Sequence, residues 1–336
     1  SERAGYPLFT DPLTNAAEQD PDDWWAAVCH AIRDVAGEIA PNRLLAAAVG
    51  GQGPTLVALD EKLRPVHRAM TGIDQRAGRE AATLGERIGR KLPAYFFVPK
   101  TMWLKANRPE AYAAARWFCQ SWDFVAARLL GELVVSYSPG IAPWTPELIE
   151  AGELDAAKFP TPRRMGERLG QVSAEAARET GLPEGLSVVG GISDFFEGLI
   201  GSGALSPGLA CDNGGTTQGF SVCWDAPLDG QGVLKFPSFI EGGWYVGGPV
   251  STTGKALDWW LESVLGYAPG DYSALESAWA VPPGSERLIF LPYLSGERAP
   301  IWDTQARGMF FGLSLNHRRE HLTRAILESV AYTLCH

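Results

Sequence analysis

The sequence holds no Cys-x-x-Cys pair, no basic stripe and no long apolar run. Its cysteines (Cys29, Cys119, Cys211, Cys223 and Cys335) are odd in number and far apart. That argues against a disulfide framework or a zinc ribbon and fits a reducing, cytoplasmic setting. Lys plus Arg number 29 against 39 acids, a formal charge of −10. Nucleic-acid binding needs clustered cations, so that partner class is set aside; a nucleotide substrate needs only local donors and stays open. No segment has the length and apolarity of a membrane span and no secretory leader is evident, so no membrane partner is expected. An initiator Met is also missing, and the last helical stretch reaches His336 with no Gly, Asn or Pro to stop it. The expectation is a chain cut at both ends. Neither internal repeats nor low-complexity tracts occur.

With 336 residues, 46% hydrophobic and 20% charged, the chain has globular composition and the length of two domains. Its organising stretch runs from Gly190 to Thr217. Residues 186–189 read as an apolar strand, Gly190-Gly191 as a turn, and Ser193 as the N-cap of a short helix with Asp194 in its first turn. A carboxylate there can complement the helix dipole, or act as a general base at the carboxyl end of a strand, where open α/β sheets bind ligands. A second strand at 209–212 breaks into Gly214-Gly215-Thr216-Thr217. Its N–H groups and hydroxyls make a nest for phosphate oxygens, a pattern that many hairpins share. Together the two turns point to phosphoryl transfer.

Residues 1–20 read as polar and turn-rich. Asp20-Pro21 then looks like an N-cap with Pro at the first helical position, launching a helix through Trp24, Val28, Ile32 and Val35. Residues 44–49 read as a buried strand, 50–54 as a glycine-rich turn containing Gln52, and 55–59 as another strand, in either a hairpin or a ligand-facing loop. Asp74-Gln75-Arg76 precede a helix at 80–90; here the residues alone favour a cap and a solvated charge over ligand contacts. Residues 98–130 look helical throughout, with their aromatic side chains as core. An irregular linker over 131–165 includes 138–140 and a helix start at Trp144-Thr145-Pro146, and a helix at 172–180 is stopped by Gly181 and Pro183. Farther on, 232–239 and 243–246 read as paired strands. Ser251-Thr252-Thr253-Gly254 leads into a helix at 255–265, either a second anion edge or a plain capped helix. A strand at 288–291 precedes a loop in which Glu297-Arg298 looks exposed. The closing helix over 317–336 carries His317 and His321 at i, i+4 spacing, but with no third ligand a solvated face outweighs zinc.

Gly308-x-Phe310-x-Gly312-Leu313, followed after seven residues by His321-Leu322-x-x-Ala325-Ile326-Leu327-Glu328, resembles the C-terminal signature of the FGGY carbohydrate kinase family. Tyr95, Lys100, Trp103, Leu104 and Asn107 match part of the family's other signature. Gln52, Asp74-Gln75-Arg76, Gly191 to Asp194 and Gly215-Thr216-Thr217 fall in family order. The resemblance runs from about Tyr6 to the last residue and is nearest to the xylulose kinases. It implies an α/β chain of two actin-like (ribonuclease-H-like) lobes with a cleft between them: a sugar-binding lobe over 1–222 and an ATP-binding lobe over 223–336, each incomplete. It further implies ATP and Mg²⁺ as cofactors and a ketose or polyol as substrate, and a homodimer is the oligomeric form to expect. Asp194 matches the catalytic base; Gln52, Asp74, Arg76 and Tyr95 match sugar contacts; Gly215, Thr216, Thr217 and Gly254 fall on the nucleotide side. The family's first phosphate loop and late adenosine motif are expected to lie beyond this chain's ends, so the chain alone is expected to be a weak kinase. Gly53-Pro54 stands where xylulose kinases carry Met-His, and Gly72 where Trp is common. That loss of bulk leads to the expectation of a roomier sugar pocket and a substrate other than D-xylulose, with refilling by aromatic neighbours as the alternative. The competing function is a non-catalytic relative that binds a sugar or a partner protein.

Overall fold

Asp20 caps the first long helix as its chemistry dictates: its carboxylate accepts the Asp22 N–H at 3.0 Å, Pro21 takes the first position, and α1 runs Pro21–Ala36. The computed structural model describes residues 4–11, 13–137, 142–215, 218–228, 230, 232–239, 242–303 and 305–335. The chain divides into two compact units, Ser1–Glu197 and Gly198–His336. That division lies ahead of the 222/223 boundary read from the sequence, which would cut a strand belonging to the second unit's sheet.

In the first unit, the segment expected to be polar turns contains a hairpin, β1 (Phe9–Asp11) with β2 (Ala16–Gln19). Ala-Ala-Glu-Gln has little β-propensity; pairing with β1 on one side and β5 (Ala69–Met70) on the other makes the strand. The strands β3 (Ala46–Ala48) and β4 (Val57–Leu59) are not a hairpin. β3 runs parallel to β10 (Ser187–Val189), which also pairs with β9 (Arg168–Gln171), whereas β4 pairs with β6 (Trp117–Cys119). Contrary to expectation β3 is not buried. It is an edge strand among the described residues, with Ala46 and Ala48 exposed and Leu45 at 87%.

The long helical pattern over 98–130 is broken as well. Helices α3 (Phe97–Asn107) and α4 (Pro109–Ala114) precede β6, whose Trp-Phe-Cys suits a pleated half-buried surface, and α5 (Ser121–Leu130) follows. The remaining helices are α2 (Gly78–Ile88), α6 (Pro146–Ala151) capped by Thr145, and α7 (Ala174–Thr180) ended by left-handed Gly181. β7 (Ser136–Tyr137) and β8 (Arg163–Arg164) form a short parallel pair, and the linker's 138–140 lie outside the described residues. Of the aromatic side chains over 98–130, Phe118 and Phe124 join Trp24, Phe97, Trp144 and Phe159 in one buried cluster, Trp103, Tyr112 and Trp117 pack half-buried against it, and Trp122 is buried apart from it. Helix α8 (Asp194–Gly201) spans the division between the units.

The second unit is built on an antiparallel sheet in the order β11 (Ala210–Asp212), β12 (Gln218–Trp224), β14 (Trp244–Val250), β13 (Leu234–Pro237). Helix α9 (Gly254–Asp258) continues as a π-helical stretch, Trp259–Val264. Helix α10 (Ala274–Trp279), the pair β15 (Ile289–Leu291) and β16 (Met309–Phe311), and α11 (Arg319–Cys335) complete it. Trp260, Leu261, Phe290 and Ile326 form its core, and the Trp260 indole N–H donates to Thr323 Oγ1 at 2.9 Å. Among the described residues no helix is long and apolar enough to cross a membrane.

Candidate active site

Because β3 and β10 are parallel and adjacent, the turns at their carboxyl ends leave the sheet together. Gly51 and Ser193 extend the pairing as a single bridge, and the Asp194 N–H donates to the Gly51 carbonyl at 2.8 Å. Only glycine permits this approach at position 191, since a Cβ there would lie 1.9 Å from the Val49 carbonyl oxygen. Asp194 is the first residue of α8, as the sequence indicated, and its Oδ1 accepts the Phe195 N–H at 2.7 Å. Asp194 is an exposed residue, yet the protein around it desolvates its carboxylate enough to raise its pKa, against the pull of that hydrogen bond. Glu197, which sequence reasoning passed over, lies on the next turn. Its pKa is raised chiefly by desolvation, with the Asp194 charge adding to it. A reachable carboxylate of raised basicity is equipped to take a proton from a hydroxyl.

The start of α5 fixes both turns. Ser121 Oγ donates to the Gln52 carbonyl at 2.6 Å, and Gln120 Oε1 accepts the Thr55 N–H at 2.7 Å. Asp123 accepts the N–H groups of Gln120 at 3.1 Å and Ser136 at 3.0 Å, and Ser136 Oγ donates to the Gly191 carbonyl at 2.8 Å. One buried framework therefore ties the Gln52 turn to the Asp194 turn.

Asp74 and Arg76 are not the cap and solvated charge that their sequence suggested. Asp74 has no solvent exposure. Its Oδ2 accepts the Ala17 N–H at 2.9 Å and Arg76 Nη2 at 2.7 Å, while Oδ1 accepts the Arg76 backbone and Nε groups at 3.1 Å. Arg76 also donates to Glu18 Oε1 at 2.7 Å and stacks 4.3 Å over the Trp103 ring. Gln52 Nε2 in turn donates to Gln19 Oε1. Successive residues of β2 thus anchor Asp74, Arg76 and Gln52. Tyr95 sits in the turn before α3, its ring 5.4 Å from Phe96. The roles of Glu18 and Gln19 went unseen because β2 itself was unseen.

The expected extra volume is not there. A Cβ at Gly53 would meet Trp122 Cζ3 at 2.9 Å and Ser193 Cβ at 3.3 Å, and one at Gly72 would meet the Gly53 carbonyl oxygen at 3.1 Å. At Gly53 an aromatic neighbour, Trp122, takes up the room, and at Gly72 the Gly53–Pro54 backbone does. The Trp122 indole nitrogen is buried with no hydrogen-bond partner among the described residues.

In the second unit two distant turns meet. The Gly254 N–H and Thr253 Oγ1 both donate to the Gly215 carbonyl, at 3.1 and 3.3 Å. Gly215 and Gly254 line a cleft of about 520 Å³ with Leu257, Asp258, Tyr272 and Leu275. Apolar walls, a phenol ring and a carboxylate suit a nucleoside, and the glycine backbone suits its phosphates. Thr216 and Thr217 lie outside the described residues. Glu297, expected to be exposed, is buried behind this cleft's turn, its Oε1 accepting the Ser251 N–H at 2.8 Å. His317 precedes α11 rather than sharing it with His321, and no cluster of metal-ligating side chains occurs among the described residues.

Two buried groups of the first unit make its stability depend on pH. Desolvation pushes the Asp123 carboxyl up to about 7 from 3.8, and pulls the Lys100 ammonium down to about 7 from 10.5. Between about pH 4 and 7 the folded state holds a proton on Asp123 that the unfolded chain has released, so stability falls as pH rises. Between about 7 and 10.5 the unfolded chain holds one on Lys100 that the folded state has released, so stability rises again. Urea denaturation across pH 5–9 should show a minimum near neutrality. Asp123→Asn should flatten the acid limb alone; an unaltered acid limb would contradict this assignment.

Two α/β units of this kind are actin-like, and the chain superposes on the ligand-bound xylulose kinase of Lactobacillus acidophilus with a TM-score of 0.84 at 26% identity, covering 98% of this chain and 71% of that one. The chain belongs to the FGGY family of carbohydrate kinases: the family's N-terminal domain matches residues 3–201 and its C-terminal domain residues 213–336. It is similar to the xylulose kinase of Lactococcus lactis subsp. lactis (strain IL1403), 27% identical over 99% of this chain and 70% of that protein. It is equally similar to the gluconokinase of Bacillus subtilis (strain 168), 28% identical over the same shares of the two chains. It is thus a carbohydrate kinase, an ATP-using enzyme that phosphorylates a sugar.

Proposed function

We propose that the chain phosphorylates a hydroxyl of a linear polyhydroxylated substrate (a pentulose-like ketose, an aldonate or a polyol) with Asp194 as general base. The observation that carries this is the position of Asp194: at the joint carboxyl ends of β3 and β10, hydrogen-bonded through its turn to the Gln52 loop, and raised in basicity by desolvation. Asp194 takes the proton of the hydroxyl as its oxygen attacks the γ-phosphorus, and the bond to the β-phosphate oxygen breaks to leave ADP. Gln52, Arg76 and Tyr95 read the other hydroxyls. Asp74, both oxygens already engaged, serves by holding Arg76. In the second unit Gly215, Thr216, Thr217 and Gly254 offer backbone and hydroxyl donors to the phosphates, and the cleft beside Asp258 and Tyr272 takes the nucleoside. Mg²⁺ arriving with ATP would neutralise phosphoryl oxygen charge, and it needs few protein carboxylates beside phosphate and water.

Similar likeness to a xylulose kinase and a gluconokinase leaves both sugars in play, and the filled space at Gly53 and Gly72 removes the reason to discount D-xylulose. A coupled ADP-release screen over D-xylulose, D-gluconate, other ketoses and alditols tests the reading. One of these should be preferred by about tenfold or more in kcat/KM, the discrimination that one well-placed hydrogen bond supplies. No sugar-dependent ADP release by the full-length protein with any of them would end it.

A further inference from the structure

Lys100 lies on α3 with no solvent exposure. Its Nζ donates to three carbonyl oxygens: Pro54 at 2.7 Å, Thr71 at 2.9 Å and Met70 at 3.1 Å. An ammonium has three protons and no acceptor, so the three carbonyls satisfy it in full. The acceptors belong to two segments. Pro54 closes the turn that carries Gln52, whereas Met70 and Thr71 open the loop to Asp74 and Arg76. These segments pair at Leu56–Met70 and, farther along, at Leu59–Pro65; past Leu56–Met70 the pairing gives way to packing of Gly72 against the Gly53–Pro54 backbone. Lys100 stands where the ladder stops.

We propose that Lys100 is a positioning residue for the sugar: its ammonium ties the Gln52 turn to the Asp74–Arg76 loop and thereby sets the spacing of the hydroxyl readers. This rests on the assignment of Gln52 and Arg76 to the sugar made above. An apolar side chain would fill the same volume, but it could not bind carbonyls of two separate segments at once. The charged groups near the ammonium are Asp74, which favours the cation, and Arg76, which opposes it and is itself paired with Glu18. Burial poises the group near neutrality, and a deprotonated amine has only two hydrogens for three carbonyls.

The test compares Lys100→Met and Lys100→Arg with Leu104→Ala, a buried apolar change one turn along the same helix. In the sugar-free protein, Lys100→Met should speed hydrogen–deuterium exchange by about tenfold or more over 50–56 and 69–76, with α5 unchanged. Lys100→Arg, which keeps a cation, should fall between, and it carries the test should the Met variant fail to fold. Leu104→Ala should lower the melting temperature without singling out these loops. In turnover, Lys100→Met should raise the KM for D-xylulose or D-gluconate about tenfold and leave the KM for ATP within about twofold, the split expected when only sugar binding is disturbed. Unchanged loop exchange would overturn the tie; loosened loops with an unchanged sugar KM would overturn the positioning role. If the unaltered protein phosphorylates none of the screened sugars, the kinase reading fails on its own, and loop exchange still decides the tie.

Discussion

Asp194→Asn should lower kcat by at least about 100-fold, the usual range for removing a general base, while the protein stays folded. Asparagine keeps an Oδ1 that can accept the Phe195 N–H, and Asp194 is exposed, so little packing is at stake. The sugar KM should move little, because the carboxylate acts on the transferring proton rather than on ground-state affinity. The pH profile gives a second reading. A base must be deprotonated, so kcat/KM of the unaltered enzyme should rise with pH through a pKa above the ordinary carboxylate value. In the variant that limb should vanish from the residual rate. Near-normal turnover by Asp194→Asn would take this residue out of the chemistry.

Arg76→Met should destabilise the first unit by about 3–5 kcal/mol, the typical cost of breaking a buried ion pair from one side. Asp74 has no exposure, and its Oδ2 would keep only the Ala17 N–H, while Glu18 would lose its 2.7 Å partner. For a unit of this size that loss corresponds to a fall in melting temperature on the order of 10 °C. Adding Asp74→Leu should recover part of the loss, since the stranded charge rather than the missing attraction dominates the penalty. Urea titrations of the single and double variants decide between these terms. A single-variant loss below about 1 kcal/mol, the value of a surface pair, would show that the cluster is solvated in solution.

The parts of the fold legible in the sequence are those written in local chemistry. Asp20-Pro21, Thr145-Pro146 and Gly181 mark helix ends because capping is decided by adjacent residues. The Gly190–Asp194 turn and the pair β13–β14 were likewise legible. What stayed hidden is decided by distant partners. β2 has no strand-forming residues and exists through β1 and β5; β6 is three residues inside a helical pattern and exists through β4. Burial of Asp74 and Glu297 was missed for the same reason, since charged residues near glycine turns read as exposed until their distant N–H partners are known. Family order marked Gln52 and Arg76, but the strand that anchors both, and the lysine beside them, emerge only from the fold.

β2 bears on how substrate range in such an enzyme can drift. Adjacent strand residues face opposite sides, and here Glu18 grips Arg76 while its neighbour Gln19 grips Gln52. If Gln52 and Arg76 read the sugar as proposed, the two are steered from two faces of one strand by neighbouring side chains. Exchanging one anchor shifts one reader and leaves the other in place, like separate dials on a common shaft. On that proposal, preference for a ketose or a sugar acid would be adjusted through two adjacent codons, with Asp194 and its turn left untouched.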